Sequence, residues 1–252
     1  MFAFKCNCTW LSAGEGKKMS YSDYYKSRKV SEPGKWLNRY FAALIVDEVR
    51  RHCKEGDSVI EIGPGEGRVA DLLKVFTKYC VYEASPAMAA ELKERGISVH
   101  QGIAPPLVEN DASQHMVIAT HVVEHMPDYL TAQRLFQETN RVLVPGGVFI
   151  VVSPDFNDMG KLFFDVDYSH NFITTANRLA QLAKDSGFNV AGRKFLYGSL
   201  EFWPGIVFNL TVKLLFLFLR FVKDNFCFED QGIFKLEHLF SRAVYMVFKK
   251  PK

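Results

Sequence analysis

The run Val59-Ile60-Glu61-Ile62 is apolar and mostly β-branched, and from Val69 to Val75 hydrophobic residues return at helical spacing, so a buried strand feeding a helix is predicted there. The same alternation recurs along the chain. Cys80 to Glu83 reads as a second short strand, Pro86 to Arg95 as a helix closed by Gly96, and Ile97 to His100 as a third strand. Met116 to Thr120 makes a fourth strand, Leu130 to Val142 a helix ended by Pro145-Gly146-Gly147, and Val148 to Val152 a fully apolar fifth strand. A helix ending at Ser186-Gly187-Phe188 precedes a sixth strand, Val190 to Tyr197, and Ala243 to Phe248 is a seventh. Upstream, Tyr21 to Arg51 reads as one or two helices broken at Glu32-Pro33-Gly34, with Trp36, Leu37, Tyr40, Phe41, Leu44, Ile45 and Val49 at helical spacing. Strands alternating with helices imply an α/β chain with a doubly wound parallel sheet, whose ligand sits at the carboxyl ends of the strands.

The turn after the first strand, Gly63-Pro64-Gly65-Glu66-Gly67-Arg68, places three glycines where the backbone can lie almost against a ligand. A dinucleotide fingerprint wants its third glycine one residue later, where this chain has Arg68. An acid at the end of the second strand, about 20 residues beyond such a loop, can accept both ribose hydroxyls, and Glu83 stands there.

The pattern Glu61-x-Gly63-x-Gly65-x-Gly67 resembles the first motif of class I S-adenosylmethionine-dependent methyltransferases. The His121-Val122-Val123-Glu124-His125 loop and the Leu143-Val144-Pro145-Gly146-Gly147 turn extend the resemblance over roughly Asp57 to Val190. A sulfonium ligand carries a cationic amino group, which Glu61 and Glu66 suit better than a phosphate would be suited. The resemblance implies a Rossmann-like seven-stranded sheet with an antiparallel last strand and helices on both faces. It implies S-adenosylmethionine held by Glu61, Gly63, Pro64, Gly65, Gly67, Glu83, Ala84, Ser85, Gly102, Ile103, Thr120 and His121. Relatives place an acid after the third strand for adenine; this chain has Gln101-Gly102-Ile103, so adenine recognition is expected from backbone groups or Gln101. The N-terminal helices would lie over the cofactor mouth, with Tyr21, Tyr24, Tyr25 and Arg28 near ligand.

Methyl transfer to oxygen or nitrogen also needs a proton acceptor, for which His125, His170 and Glu124 are the catalytic candidates. The His121, Glu124, His125 and His170 set also resembles the divalent-ion cluster of certain metal-dependent O-methyltransferases, although His121 replaces an acid; no metal is the expectation.

With 252 residues and a net charge of +3, the chain has length for a full α/β core, and no arginine-rich tract points to nucleic acid. Five cysteines in no repeated spacing fit a reduced, cytoplasmic setting. Residues 1–20 read as an N-terminal extension without the pattern of a secretory signal, leaving Met1 or Met19 as the start. Residues 21–252 read as a single domain, with cap helices over 21–54 and an apolar helical insertion over 198–242. Within that insertion Gly205 to Val222 is nearly continuous hydrophobe, but Lys213 disfavours a membrane span. Asn209, Lys213 and Arg220 fall near one face, so 202–228 is read as an amphipathic segment for a membrane surface, a homodimer seam or ordinary packing. The leading expectation is a methyltransferase acting, by O-methylation, on a small hydrophobic or carrier-linked acceptor. The rivals are a catalytically idle, membrane-tethering relative and a nicotinamide-dependent oxidoreductase.

Overall fold

The computed structural model describes residues 32–197, the helical positions 206, 207, 210, 211, 214 and 215, and residues 241–252. The expectations for residues 1–31, and nearly all of those for 198–240, lie outside the described residues.

Helix α1 (Glu32–His52) begins where a break is expected, because Pro33 falls in its first turn, where no backbone N–H is needed. Its stripe of Leu37, Phe41, Ile45 and Val49 is buried, while Trp36 stays exposed. Seven strands follow: β1 (Ser58–Ile62), β2 (Lys78–Glu83), β3 (Ser98–Gln101), β4 (Gln114–Thr120), β5 (Leu143–Pro154), β6 (Asn189–Tyr197) and β7 (Arg242–Lys249). They form one sheet in the order β3-β2-β1-β4-β5-β7-β6, with β7 antiparallel to both neighbours and the remaining pairs parallel. The antiparallel last strand is as the resemblance implies. Pro145-Gly146-Gly147 does not close a turn ahead of β5 but lies within it, and the β4–β5 register shifts between Gln114 and Met116.

Between the strands lie α2 (Ala70–Leu73), α3 (Pro86–Glu94), α4 (Tyr129–Val142) and α7 (Ala176–Asp185), and two unforeseen short helices, α5 (Phe156–Met159) and α6 (Leu162–Asp165), follow β5. Side-chain oxygens of Ser85, Asp128 and Thr175 cap α3, α4 and α7, each accepting a backbone N–H of the first turn.

Alternation along the strands splits the core in two. Ile60, Val117, Ala119, Phe149 and Val151 pack towards α4 and α7, while Val59, Met116, Ile118, Ile150 and Val152 pack towards α1, α2 and α3. Phe136 of α4 is the hub of the first layer, with ring centroids 5.0 Å from Phe149, 5.7 Å from Phe248 and 6.5 Å from Phe188. Phe136→Ala is expected to remove about 3–5 kcal/mol of stability, read as a lowered urea midpoint with an unchanged slope.

Candidate functional site

Strand β1 ends into the glycine turn, and Gly63, Gly65 and Gly67 all take positive φ. At Gly65 (φ 54°) a Cβ would meet nothing within 4 Å, so this stretch of backbone borders open space, as a ligand cradle requires. A Cβ on Gly63 would stand 2.7 Å from Val122, so the loop after β1 is packed tightly against the loop after β4. The first acid of the motif, Glu61, is inside β1 and buried, and accepts the hydroxyl proton of Tyr79 on β2. Burial pushes its carboxyl pKa up to about 7, against the lowering by Tyr79 and Arg68.

Glu83, at the last position of β2, is buried and ties the neighbouring loops together. Its Oε2 accepts the Gly65 N–H at 3.3 Å and its Oε1 accepts the Ser85 N–H at 2.7 Å, while its backbone carbonyl accepts the Gly102 N–H at 3.0 Å. Burial raises the Glu83 pKa, and the backbone N–H groups of Ser85, Gly65 and Ala84 partly lower it again. Each oxygen keeps a further lone pair, so the carboxylate can still receive hydroxyl groups. Pro64 lies within the glycine turn and Ala84 between Glu83 and the cap Ser85. Ile103, 77% exposed beside Gly102, offers an apolar surface at the same end of the sheet, where Gln101 is also exposed.

Past β4, Thr120 leads to His121, which holds φ 56° and donates its N–H to Val152. A 3₁₀ turn over Val123–His125 then buries Glu124 completely. The Glu124 carboxylate lies 3.2 Å from His121 Nδ1 and accepts the Ser153 hydroxyl at 2.9 Å. Burial would raise its pKa, but the hydrogen bond and charge of His121 with the charge of His125 outweigh it and hold the group below the usual carboxylate range.

His170 is buried and its ring lies 4.9 Å from that of His125. Its Nδ1 is 2.6 Å from the Phe163 carbonyl, which can only accept, so Nδ1 carries the proton and Nε2 the lone pair. Burial lowers its pKa, so the neutral ring prevails at pH 7. The Ser169 hydroxyl donates to Asp167 at 2.6 Å and therefore accepts from His125 Nδ1 at 2.9 Å, which puts a proton on that nitrogen. Ligand-capable atoms of Glu124, His125 and His170 lie within 4.8 Å of one another, and His121 joins them through Glu124.

Several positioning residues carry no motif. Arg95, at the end of α3, donates to the carbonyls of Glu66 (2.7 Å) and Gly67 (3.0 Å) and to Asp71, which pins the outer half of the glycine turn. Asp155, buried just past β5, is paired with the Arg242 guanidinium at 2.6 Å and fixes the path into α5. A groove of about 330 Å³ lined by Ala180, Lys184 and Val190 lies at the amino end of β6, away from these groups.

A family model described as a methyltransferase domain matches residues 34–191. A Mycolicibacterium smegmatis protein named as a probable S-adenosylmethionine-dependent methyltransferase is 26% identical over 170 residues, and the match spans 64% of this chain and 62% of that protein. Among solved structures, one from Galdieria sulphuraria, provisionally described as a sarcosine dimethylglycine methyltransferase, superposes with a TM-score of 0.63 at 18% identity, covering 92% of this chain and 97% of that one. Phosphoethanolamine N-methyltransferase 2 of Haemonchus contortus, solved with phosphomonomethylethanolamine and S-adenosylhomocysteine, gives 0.60 at 15% identity over 92% of this chain and 60% of that one.

Because the Glu61 pKa is raised in the folded chain, its protonated form is the stabilised one. Its contribution is complete below the unfolded value near 4.5 and is lost as pH climbs through about 7. Glu61→Gln is therefore expected to leave the Tm near wild type at pH 5 and to raise it by about 5 °C at pH 8, measured by calorimetry.

Proposed function

The chain belongs to the methyltransferase domain family, and on that premise we propose that it uses S-adenosylmethionine to methylate an oxygen of a small, hydrophobic or carrier-linked acceptor. The observation that carries the oxygen assignment is the Nε2 lone pair of His170, with the His125 ring 4.9 Å away and the buried carboxylate of Glu124 beside them. The relative from Mycolicibacterium smegmatis supports the choice of methyl donor.

S-adenosylmethionine, when bound, supplies a sulfonium methyl that an acceptor displaces in line. Gly63, Gly65, Gly67 and Glu83 would hold it: Gly65 gives backbone approach, Gly63 and Gly67 let the turn pack against Val122 and Leu92, and Glu83 gives acceptor oxygens. Contact between Gly63 and Val122 brings that loop against the loop carrying Glu124 and His125, so binding and proton transfer share one end of the sheet. An attacking hydroxyl must shed its proton, and a neutral imidazole in reach is the group to take it. The nearby Glu124 carboxylate then stabilises the imidazolium. Ser169 and the Phe163 carbonyl set which ring nitrogen is offered, and Asp167 acts through Ser169. The exposed helical side chains of Ile206, Leu210, Leu214 and Leu215 support a greasy acceptor over a polar one.

The test is incubation with methyl-labelled donor and matched panels of long-chain phenols, hydroxy acids and amines. Label on oxygen is expected, and label confined to the amines would overturn the assignment. His125→Ala and His170→Ala are expected to slow turnover, by about 10²- to 10⁴-fold for whichever acts as the base, without weakening S-adenosylhomocysteine binding. Unaltered turnover in both variants removes the base from the mechanism. Glu83→Gln is expected to weaken S-adenosylhomocysteine binding by roughly 10- to 100-fold in calorimetry.

A further inference from the structure

A second cluster of ligand-bearing side chains lies on the outer edge of the sheet, away from the loops after β1 and β4. Cys80 and Tyr82 alternate on β2 and so face the same side, and His100 of the edge strand β3 stands opposite Tyr82 in the parallel register. Glu109 reaches this face from the 102–113 connection. The Cys80 thiol, a ring nitrogen of His100 and a carboxylate oxygen of Glu109 lie within 4.8 Å of one another. We propose that these three side chains form a site for a thiophilic divalent cation, with zinc the natural occupant.

One pair of the three donors already stands at the spacing of a coordination shell, and the thiol lies within 4.8 Å of both. Ligand atoms around a tetrahedral zinc stand about 3.3 to 3.6 Å apart, given bonds of about 2.0–2.1 Å to nitrogen or oxygen and 2.3 Å to sulfur. His100 Nε2 is already 3.4 Å from Glu109 Oε1. The other carboxylate oxygen is held from behind: Glu109 Oε2 accepts the Tyr82 hydroxyl at 2.5 Å, and the Tyr82 oxygen accepts the Val108 N–H at 2.7 Å. Arg141 fixes the backbone by donating to the carbonyls of Glu109 and Leu107, each at 2.8 Å. The Tyr82 ring packs 5.0 Å from the His100 ring and limits its rotation. Oriented ligands with such supporting partners are what a metal site needs beyond its donor atoms.

Charge and donor type select the ion. Cys80 releases its proton to solvent on binding, and one thiolate with one carboxylate then balances a divalent charge, with the imidazole neutral. Sulfur, nitrogen and oxygen in one set favour zinc over magnesium or calcium, and three protein ligands leave a fourth position for water. The bound ion would fasten the 102–113 connection, which begins with Gly102 and Ile103, to the edge of the sheet. Neither the methyl donor nor the acceptor enters this assignment, so it stands apart from the proposed function.

Titration of the metal-free protein with Co²⁺ reads the site directly. A single equivalent is expected to give thiolate-to-cobalt charge-transfer absorption in the near ultraviolet, displaced by Zn²⁺. Cys80→Ser is expected to lose that absorption, and His100→Gln and Tyr82→Phe to weaken Zn²⁺ binding by about 10- to 100-fold with unchanged circular dichroism. Binding at Glu124, His125 and His170 involves no sulfur and gives no such band. The site is refuted if the wild type shows no band, if the band survives in Cys80→Ser, or if His100→Gln and Glu109→Gln both bind Co²⁺ as the wild type does.

Discussion

A sheet covered on both faces leaves no water along its strands, so charge is tolerated only where strands end. That constraint arranges the whole functional end of the molecule. Glu83 closes β2, Glu124 follows β4 by one turn and Asp155 follows β5 directly; all three are buried, and each is answered by donors. Glu61 is the exception within a strand, and the environment responds by making it hard to ionise. Four acids on four strands thus fall into two kinds: one kept close to neutral inside the sheet, and others used at its rim.

The rim is also where separate elements are stitched together. Glu83 joins the glycine turn, the start of α3 and the end of β3 through one side chain and its own backbone carbonyl. Arg95 returns from the far end of α3 to the same turn, so the loop is gripped from both sides before any ligand arrives. Such preorganisation lowers the ordering cost of binding.

Much of this was legible in the sequence because it is periodic or local. Strand and helix patterns located the seven strands to within a residue or two at most ends, although β5 begins five residues earlier than its apolar run. The glycine spacing located the turn, and the chain position of Glu83 located the acid at the end of β2. What stayed hidden depends on contacts distant in sequence. Arg95 and Gly67 are 28 residues apart, and Arg242 and Asp155 are 87 apart; neither arginine sits in a pattern that marks its partner. Helices α5 and α6 are each one turn long, too short for periodicity to register. The histidines were legible as candidates, but their tautomers were not, since these depend on Ser169 and the Phe163 carbonyl.

Those tautomers give the site its chemical bias. Protons are dictated from the outside inwards: a carboxylate orders Ser169, Ser169 orders His125, and a carbonyl orders His170. The result sets the His170 lone pair beside an ionised, buried carboxylate, with the His125 ring 4.9 Å from that of His170. A buried carboxylate beside the neutral His170 ring favours a positive charge on that ring. A proton leaving an acceptor hydroxyl supplies that charge. Burial keeps His170 unprotonated until then, so the depressed pKa and the Glu124 carboxylate act in sequence: the first holds the base ready and the second stabilises it once charged.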